Sequence, residues 1–398
     1  MSVFPAESVC LPRPRRIVVA GVGLLTPLGF SAWETFTGLL AGRTVADRLG
    51  RLPADVDAVG RVRAIGAVAV GQHGAGDAAV ELAERAAREA LTEAGADALG
   101  MPCWLGTSKG AVGALPAAGG VRTPAQARAV ALGPCGFLSH ELRRRLRVGQ
   151  VQHHVAACAS SLQALHAARL HLMTEPGVVP GRTALVVTSE AALLPAFIHS
   201  YRRLGVLAPQ GDYAGRPLDE RRQGFVLAEA GAAVVLRVTE QVQPGELELV
   251  DTAVAAEAFD LIRPSPGMPA LRRVAARLAG HGRIDMVHPH APGTPDHDPI
   301  ELDALEAGLG RACSSLPRVY AAKGALGHGL GAAGLTSLVL AALMARSRRV
   351  PPMPWREQPL AHPLLGEGEG PLVEGSTHAV FAAGFAGHVA AALIRRVG

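Results

Sequence analysis

Apolar and polar positions along the chain follow two rhythms, short β-branched runs and longer stretches at helical spacing. Residues 15–23 form a β-branched run closed by glycine, which predicts a buried strand. Ser31-Ala32-Trp33-Glu34 sets a hydroxyl three residues ahead of a carboxylate and predicts a helix start. Over residues 77–94, Val80, Ala83, Ala87 and Leu91 share one face while Glu81/Arg85 and Glu84/Arg88 stand i,i+4, so a helix is expected. Residues 103–107 read as a short strand. Residues 43–76 and the Gly/Ala/Pro-rich 110–135 carry no period and read as irregular, and 141–147 reads as a basic helical turn.

A second series follows. The apolar run 155–157 ends in Cys158, and Leu162, Leu165, Arg169 and Leu172 then fall at helical spacing. Strands are expected at 184–190, 231–238, 246–256, 285–288, 318–322, 378–382 and 388–394, and helices at 270–278, 301–309 and 331–345. Alternating strands and helices predict an α/β class with mostly parallel sheets. The loop around Pro244-Gly245 is the midpoint, dividing the chain into 14–243 and 244–398, and the repeated rhythm suggests a duplicated architecture.

Composition narrows the class. With 49% hydrophobic and 18% charged residues in 398, the chain reads as a folded enzyme rather than a disordered or nucleic-acid-coating protein. A formal charge of +5 permits an acidic partner without demanding one. The cysteines at 10, 103, 135, 158 and 313 are odd in number and form no CxxC pair, so no disulfide framework or zinc ribbon is expected, and a reducing cytoplasm is. Pro12 and Pro14 among arginines argue against a leader peptide. The uncharged stretch 329–345 falls short of the ~20 residues that span a bilayer and reads as a buried core helix.

Candidate chemistry centres on Cys158. A cysteine at the junction of an apolar run and a helix sits where the positive dipole end favours thiolate, although an inert buried thiol is the competing reading. Nearly every basic residue is arginine; the chain has only two lysines, Lys109 and Lys323. A lysine surviving such a bias suggests a position that needs a compact ammonium, chance survival being the plainer alternative. Gly21 and Gly23 invite a dinucleotide fingerprint, but the third glycine falls on Thr26 and the reading fails. His288-x-His290 with Asp296-His297-Asp298 offers metal-ligand types. The Asp-His follows after five residues, where binuclear hydrolases leave one, so no metal is expected.

Several motifs then fall in one order. Lys323-Gly324-Ala325-Leu326-Gly327-His328-Gly329-Leu330-Gly331-Ala332-Ala333-Gly334 resembles the K-G-x-x-G-H-x-x-G-A-A-G signature of β-ketoacyl synthases, the condensing enzymes of fatty-acid and polyketide synthesis. Ala157-Cys158-Ala159-Ser160-Ser161-Leu162 resembles their nucleophile motif. Arg216-Pro217-Leu218-Asp219 with Gly224-Phe225-Val226-Leu227-Ala228-Glu229, His290 with Gly293-Thr294-Pro295 and Asp298, and Gly384-Phe385-Ala386-Gly387 resemble three further family blocks.

The resemblance, running from about residue 14 to the C-terminus, implies a thiolase-like fold, two similar βαβ-based halves layered α-β-α-β-α. It implies Cys158 as acyl-carrying nucleophile, His290 and His328 as donors to an enolate, and Lys323 as a charge-setting neighbour. The backbone N–H groups of Cys158 and Phe385 become the oxyanion hole, with Thr294, Phe225 and Phe385 against substrate and Glu229 in a supporting network. It further implies substrates carried on the phosphopantetheine of an acyl carrier protein, no separate cofactor, and a homodimer or a heterodimer with a related subunit. Neither nucleic acid nor a membrane span is implied. Acyl transfer without decarboxylation, and a non-condensing partner subunit, are the alternatives. The chain departs from the family pattern at Ala291-Pro292 in place of Gly-Thr, at Ala383, at Val389, and at Leu218 in place of an aromatic.

Overall fold

The computed structural model describes residues 15–45, 77–116, 120–174, 181–208, 215–310, 317–366 and 371–398. Most of the stretch expected to be irregular, 46–76, lies outside them, as do Pro12, Pro14, Cys10 and Cys313.

Among the described residues, five strands belong to each half of the chain. The first five are β1 (Arg16–Leu25), β2 (Cys103–Gly106), β3 (Val151–His154), β4 (Thr183–Glu190) and β5 (Ala230–Thr239). The second five are β6 (Leu247–Ala256), β7 (Met286–His288), β8 (Arg318–Val319), β9 (Thr377–Gly384) and β10 (His388–Arg396). Their order across the sheet is β3-β2-β4-β5-β1-β6-β10-β9-β7-β8. Outward from the single β1–β6 pair, Val18 opposite Glu248, each half repeats one order: first strand, fifth, fourth, second, third. Directions repeat as well, with the second strand parallel to both neighbours and the fifth antiparallel to both of its own. The duplication that the sequence rhythm suggested is therefore a duplication of topology.

The sheets are mixed rather than mostly parallel. Helices cover both faces, so antiparallel strands such as Ala230–Thr239 are buried almost throughout and show the continuous apolar run usual for parallel ones. Apolar periodicity carries burial, not direction.

Helices α1 (Ala32–Leu40) and α2 (Ala78–Ala94) follow β1; α2 packs on β1, β4 and β5. Ser31 caps α1 and Asp77 caps α2 through side-chain oxygens. Gly21 and Gly23 exist for this packing: a Cβ on Gly23 would lie 2.0 Å from the Ala86 carbonyl, and one on Gly21 2.1 Å from that of Ala90. Their spacing mimics a nucleotide loop because a helix backbone touches the strand at alternate residues.

Residues 124–135, expected to be irregular, belong to α3 (Pro124–Leu146), a helix broken at Gly133 ahead of Pro134. Thr123 and Gln126 make a capping box and Pro124 starts the helix; the Gly-Pro break splits the apolar pattern into two pieces too short to show a period. The basic turn at 141–147 is its C-terminal end.

Between the halves lie α4 (Ser160–Thr174) and, near the C-terminus, α9 (Ala333–Ser347), which pack on each other and on strands of both halves. Gly334 permits this, since its Cβ would meet Leu162 Cγ at 2.6 Å, and the Leu335 N–H donates to Ser161 Oγ. Also described are α5 (Pro195–Arg203), which the sequence reading missed, α6 (Pro269–Ala279), α7 (His297–Leu309) and the single turn α8 (Lys323–Leu326). With α2 outside the first half and α6 and α7 outside the second, the layers run α-β-α-β-α. The apolar segment Leu330–Ser347 is long enough by composition to cross a membrane, yet 89% of it is buried inside the fold as this central layer.

Candidate active site

Four chain segments meet at the end of the central layer. Cys158 precedes α4 by two residues and is 8% exposed. The chain reaches it through Ala157, held at φ +48°, and the turn is pinned by Ser160 Oγ, which accepts from the Ala156 N–H and donates to the Ala157 carbonyl. Gly384 passes so close that its Cβ would lie 3.0 Å from the Cys158 nitrogen, which brings Phe385 beside the nucleophile.

His290 follows β7, and His328 follows α8. The Cys158 sulfur and a ring nitrogen from each histidine lie within 4.8 Å of one another, all buried. The two rings stand edge to face, centroids 5.3 Å apart, and Phe225 packs edge-on to His328 at 4.8 Å. His328 is fixed by its backbone, which donates to Val226 O at 2.6 Å and accepts from Ala228 N at 3.0 Å. The Lys323 ammonium donates to the His290 carbonyl. Glu301 accepts from the His290 and Ala291 N–H groups at 2.6 and 2.7 Å, and Asp298 from Gly293 and Leu218 at 3.0 and 2.9 Å. Two buried carboxylates thus shape the His290 loop through its backbone.

Burial governs the electrostatics. It holds both His290 and His328 well below the usual imidazole range, with the Lys323 charge adding to the effect, so both rings are neutral at pH 7. Among the described residues their Nδ1 atoms are buried without hydrogen-bond partners, so no hydrogen bond at Nδ1 fixes the tautomer of either ring. Burial lowers Lys323 to about 8 against the opposing pull of Glu301.

The expectation of a ready thiolate is reversed. Burial pushes the Cys158 thiol up to about 12, with Lys323 and Lys109 opposing, so desolvation outweighs the helix end and the thiol is the resting form. Alkylation of Cys158 by iodoacetamide should therefore keep rising through pH 9, since a group with a raised pKa gains thiolate only at high pH. A plateau between about pH 6 and 8 would show a low-pKa thiolate instead.

Cys158, His290, His328, Thr294, Phe225 and Phe385 line one cavity of about 290 Å³, walled also by Tyr201, Phe259 and Ile262. Lys323 stands behind it. Glu229 stands apart, lining with Lys323, Thr26, Thr336 and Ser337 a small recess of about 10 Å³; burial and the nearby Asp77 raise it to about 7.

The His288/His290/Asp296/His297/Asp298 set does not assemble as ligands. His288 turns into the core and pairs with His378 at 3.2 Å, while Asp298 serves backbone donors. The ligand-type atoms that converge, among the described residues, are those of Cys158, His290 and His328.

The sequence reading missed Glu301, Glu190 and Tyr201. In the sequence Glu301 stands out only as the start of a helix. Glu190, a carboxylate closing an apolar strand, was the visible signal for a second buried acid; burial raises it to about 7.

At Ala291 the chain holds φ +34°, a conformation natural to glycine, and Ala386 and Leu218 stand at +60° and +65°. Ala291→Gly should stabilise the protein by about 1 kcal/mol in denaturant titration; a loss of stability would show that the strain is not there.

A duplicated sheet with a cysteine at the head of a central helix, faced by two histidines, defines a thiolase-like protein. The first part of the chain, residues 14–241, matches the family model described as beta-ketoacyl synthase, N-terminal domain, and residues 252–354 match the C-terminal domain. The chain belongs to the beta-ketoacyl synthase family.

Among curated relatives, 3-oxoacyl-[acyl-carrier-protein] synthase 2 of Mycobacterium bovis is 31% identical over 223 residues, 53% of this chain and 52% of the relative. The chain's match spans about half the length of the first such relatives. A putative polyketide beta-ketoacyl synthase 1 of Streptomyces halstedii is 28% identical over 385 residues, covering 87% of this chain and 89% of that one. Among solved structures, a type II PKS ketosynthase in complex with its acyl-carrier protein and bound to the hexaketide superposes with TM-score 0.79 at 20% identity. It covers 97% of this chain and all of the other. The ishigamide ketosynthase/chain length factor gives 0.76 at 22%, with the same coverage. These likenesses establish the fold.

Proposed function

We propose that the chain is a β-ketoacyl synthase that condenses an acyl group held on Cys158 with a malonyl-type thioester, in fatty-acid or polyketide synthesis. The convergence of the Cys158 sulfur with two neutral histidines in the wall of one cavity carries this reading. The Cys158 thiol attacks the incoming thioester and its proton passes through a neighbouring imidazole to the departing carrier thiolate. The backbone N–H groups of Cys158 and Phe385 receive the tetrahedral oxyanion. The extender then loses CO₂, and its enolate oxygen accepts from the ring N–H groups of His290 and His328. The enolate carbon attacks the Cys158 thioester; the product leaves on the extender's carrier, and the Cys158 sulfur regains a proton. Lys323 positions His290 through its carbonyl, and Glu229 supports the Lys323 loop.

The halves 14–243 and 244–398 act as one unit, the first supplying the nucleophile and the second the histidines and Lys323. No separate cofactor is required, because the substrates arrive on phosphopantetheine. The acyl carrier protein docks at Arg202 and Arg203, whose neighbours Tyr201, Leu204 and Gly205 line the cavity. The run at 143–147, where Glu141 and Glu84 engage Arg144 and Arg145, contributes nothing to the lining of the cavity. β3 stands at one end of the sheet with neighbouring Val155 largely exposed, which supports pairing with a second copy or a related subunit. The reading places the protein in the cytoplasm.

Incubation with acyl carrier protein loaded with a labelled acyl group, followed by intact-mass and peptide analysis, tests the first step. An acyl mass on the Cys158 peptide supports the reading; an unmodified protein contradicts it.

A further inference from the structure

Acylation of Cys158 passes the thiol proton to the departing carrier thiolate and takes none from outside. Condensation balances differently. The extender's carboxylate leaves as CO₂, the electron pair of that bond becomes the new carbon–carbon bond, and the bond from Cys158 to the acyl carbon breaks with its pair on sulfur. One proton must reach that sulfur in each turnover, and it has to come from solvent. Burial pushes the Cys158 thiol up to about 12, so the thiolate is costly, and while it lasts it can attack the new 3-oxo carbonyl and reverse the bond.

The nucleophile and its two histidines have little access to solvent: Cys158, His290 and His328 are 8%, 4% and 1% exposed. Two imidazoles stand edge to face with His290. One is His328, and the other is His297, the first residue of α7, with ring centroids 5.2 Å apart. His297 lines the same cavity, its side chain is 13% exposed, and the neighbouring Pro295 and Asp296, also in the cavity wall, are exposed. His290 Nδ1 and His297 Nε2 are both buried without hydrogen-bond partners among the described residues, which leaves both nitrogens open to a bridging water. The charged groups around the pair are committed elsewhere. Glu301 Oε2 lies 3.4 Å from His297 Nε2 but accepts from the Ala291 N–H, Asp298 accepts from Gly293 and Leu218, and the Lys323 ammonium donates to the His290 carbonyl.

We propose that His297 is the proton-entry residue of the site, taking a proton from solvent at the cavity rim and passing it through cavity water and His290 to the Cys158 sulfur once the carbon–carbon bond has formed. This rests on the reading of Cys158 as the nucleophile of a condensation. The His297 ring accepts a proton at one nitrogen and releases one from the other, so it returns to its starting charge with each proton delivered.

The test measures acylation and condensation separately on the full-length protein, with acyl-loaded and malonyl-loaded carrier protein. His297→Gln, which stays polar but cannot relay a proton, should lower steady-state formation of the 3-oxoacyl product at about pH 8 by tenfold or more, acid–base assistance being worth about 10²- to 10⁴-fold. Acylation of Cys158, which draws no proton from solvent, should slow far less. The loss should narrow as the pH falls towards about 6, where solvent supplies protons more readily, and His297→Ala should regain turnover in imidazole buffer. Unchanged turnover in His297→Gln overturns the proposal. An equal loss in acylation, or a loss that neither lower pH nor imidazole relieves, overturns it too and makes His297 a structural residue. A wild type that loads Cys158 but forms no 3-oxoacyl product overturns it together with the reading beneath it.

Discussion

Cys158→Ala should leave no acyl adduct after incubation with acyl carrier protein and should lower condensation by about a thousandfold or more. The expectation follows from the shortage of substitutes. Of the other cysteines among the described residues, Cys103 is buried within β2, where burial pushes its thiol up to about 12, and Cys135 lies in α3; neither lines the cavity. The substitution removes one sulfur from a turn held by Ser160 and the Ala157 carbonyl, contacts that alanine keeps, so the melting temperature should change little. Cys135→Ala serves as the parallel control and should load normally. If Cys158→Ala loads as fast as the wild type, the nucleophile has been misassigned.

His328→Ala should separate the two half-reactions. Its ring meets the Cys158 and His290 atoms, but its position is set by backbone hydrogen bonds to Val226 and Ala228 that alanine retains. Release of CO₂ from malonyl carrier protein should fall by about 10²- to 10³-fold, the effect of losing one preorganised donor to a developing oxyanion. Acylation of Cys158 should fall much less, because the N–H groups of Cys158 and Phe385 remain. An equal loss in both steps would make His328 a structural support for the cysteine. An unchanged CO₂ release would leave His290 as the sole donor.

How far these roles were legible in the sequence depends on how local their cause is. His328 and Lys323 share one short segment of ordered glycines, and those glycines are forced by close approaches: Gly331 against Glu190 and Gly334 against Leu162. Cys158 was visible through the helix that follows it. Its protonation state was not, because desolvation comes from segments distant in the chain, from Tyr201 and Phe225 to His290, His328 and Phe385. Glu301 and Asp298 act on backbone N–H groups of a loop whose shape the sequence does not display. Tyr201 looked like an ordinary aromatic, since nothing near it in the chain shows that its ring will stand beside Cys158.

The fold divides in the same way. Strand and helix positions followed the apolar periods closely in the second half, where β9 and β10 fell near 378–382 and 388–394. Strand direction did not, because burial on both faces erases the alternation that marks an antiparallel strand. α3 was lost at the Gly133-Pro134 break, and α5, only nine residues long, gave too short a period to register.

The central claim is that a carbon–carbon bond forms at Cys158. Its most direct measurement follows the carrier rather than the enzyme. Protein loaded with an acyl group is mixed with malonyl carrier protein, and the carrier's mass is read for the group it holds. The account predicts a 3-oxoacyl group two carbons longer than the starter, formed with release of one CO₂ per acyl group lost from Cys158. A carrier bearing only the unchanged starter, with no CO₂ released, would contradict it and make the protein an acyl transferase that does not condense.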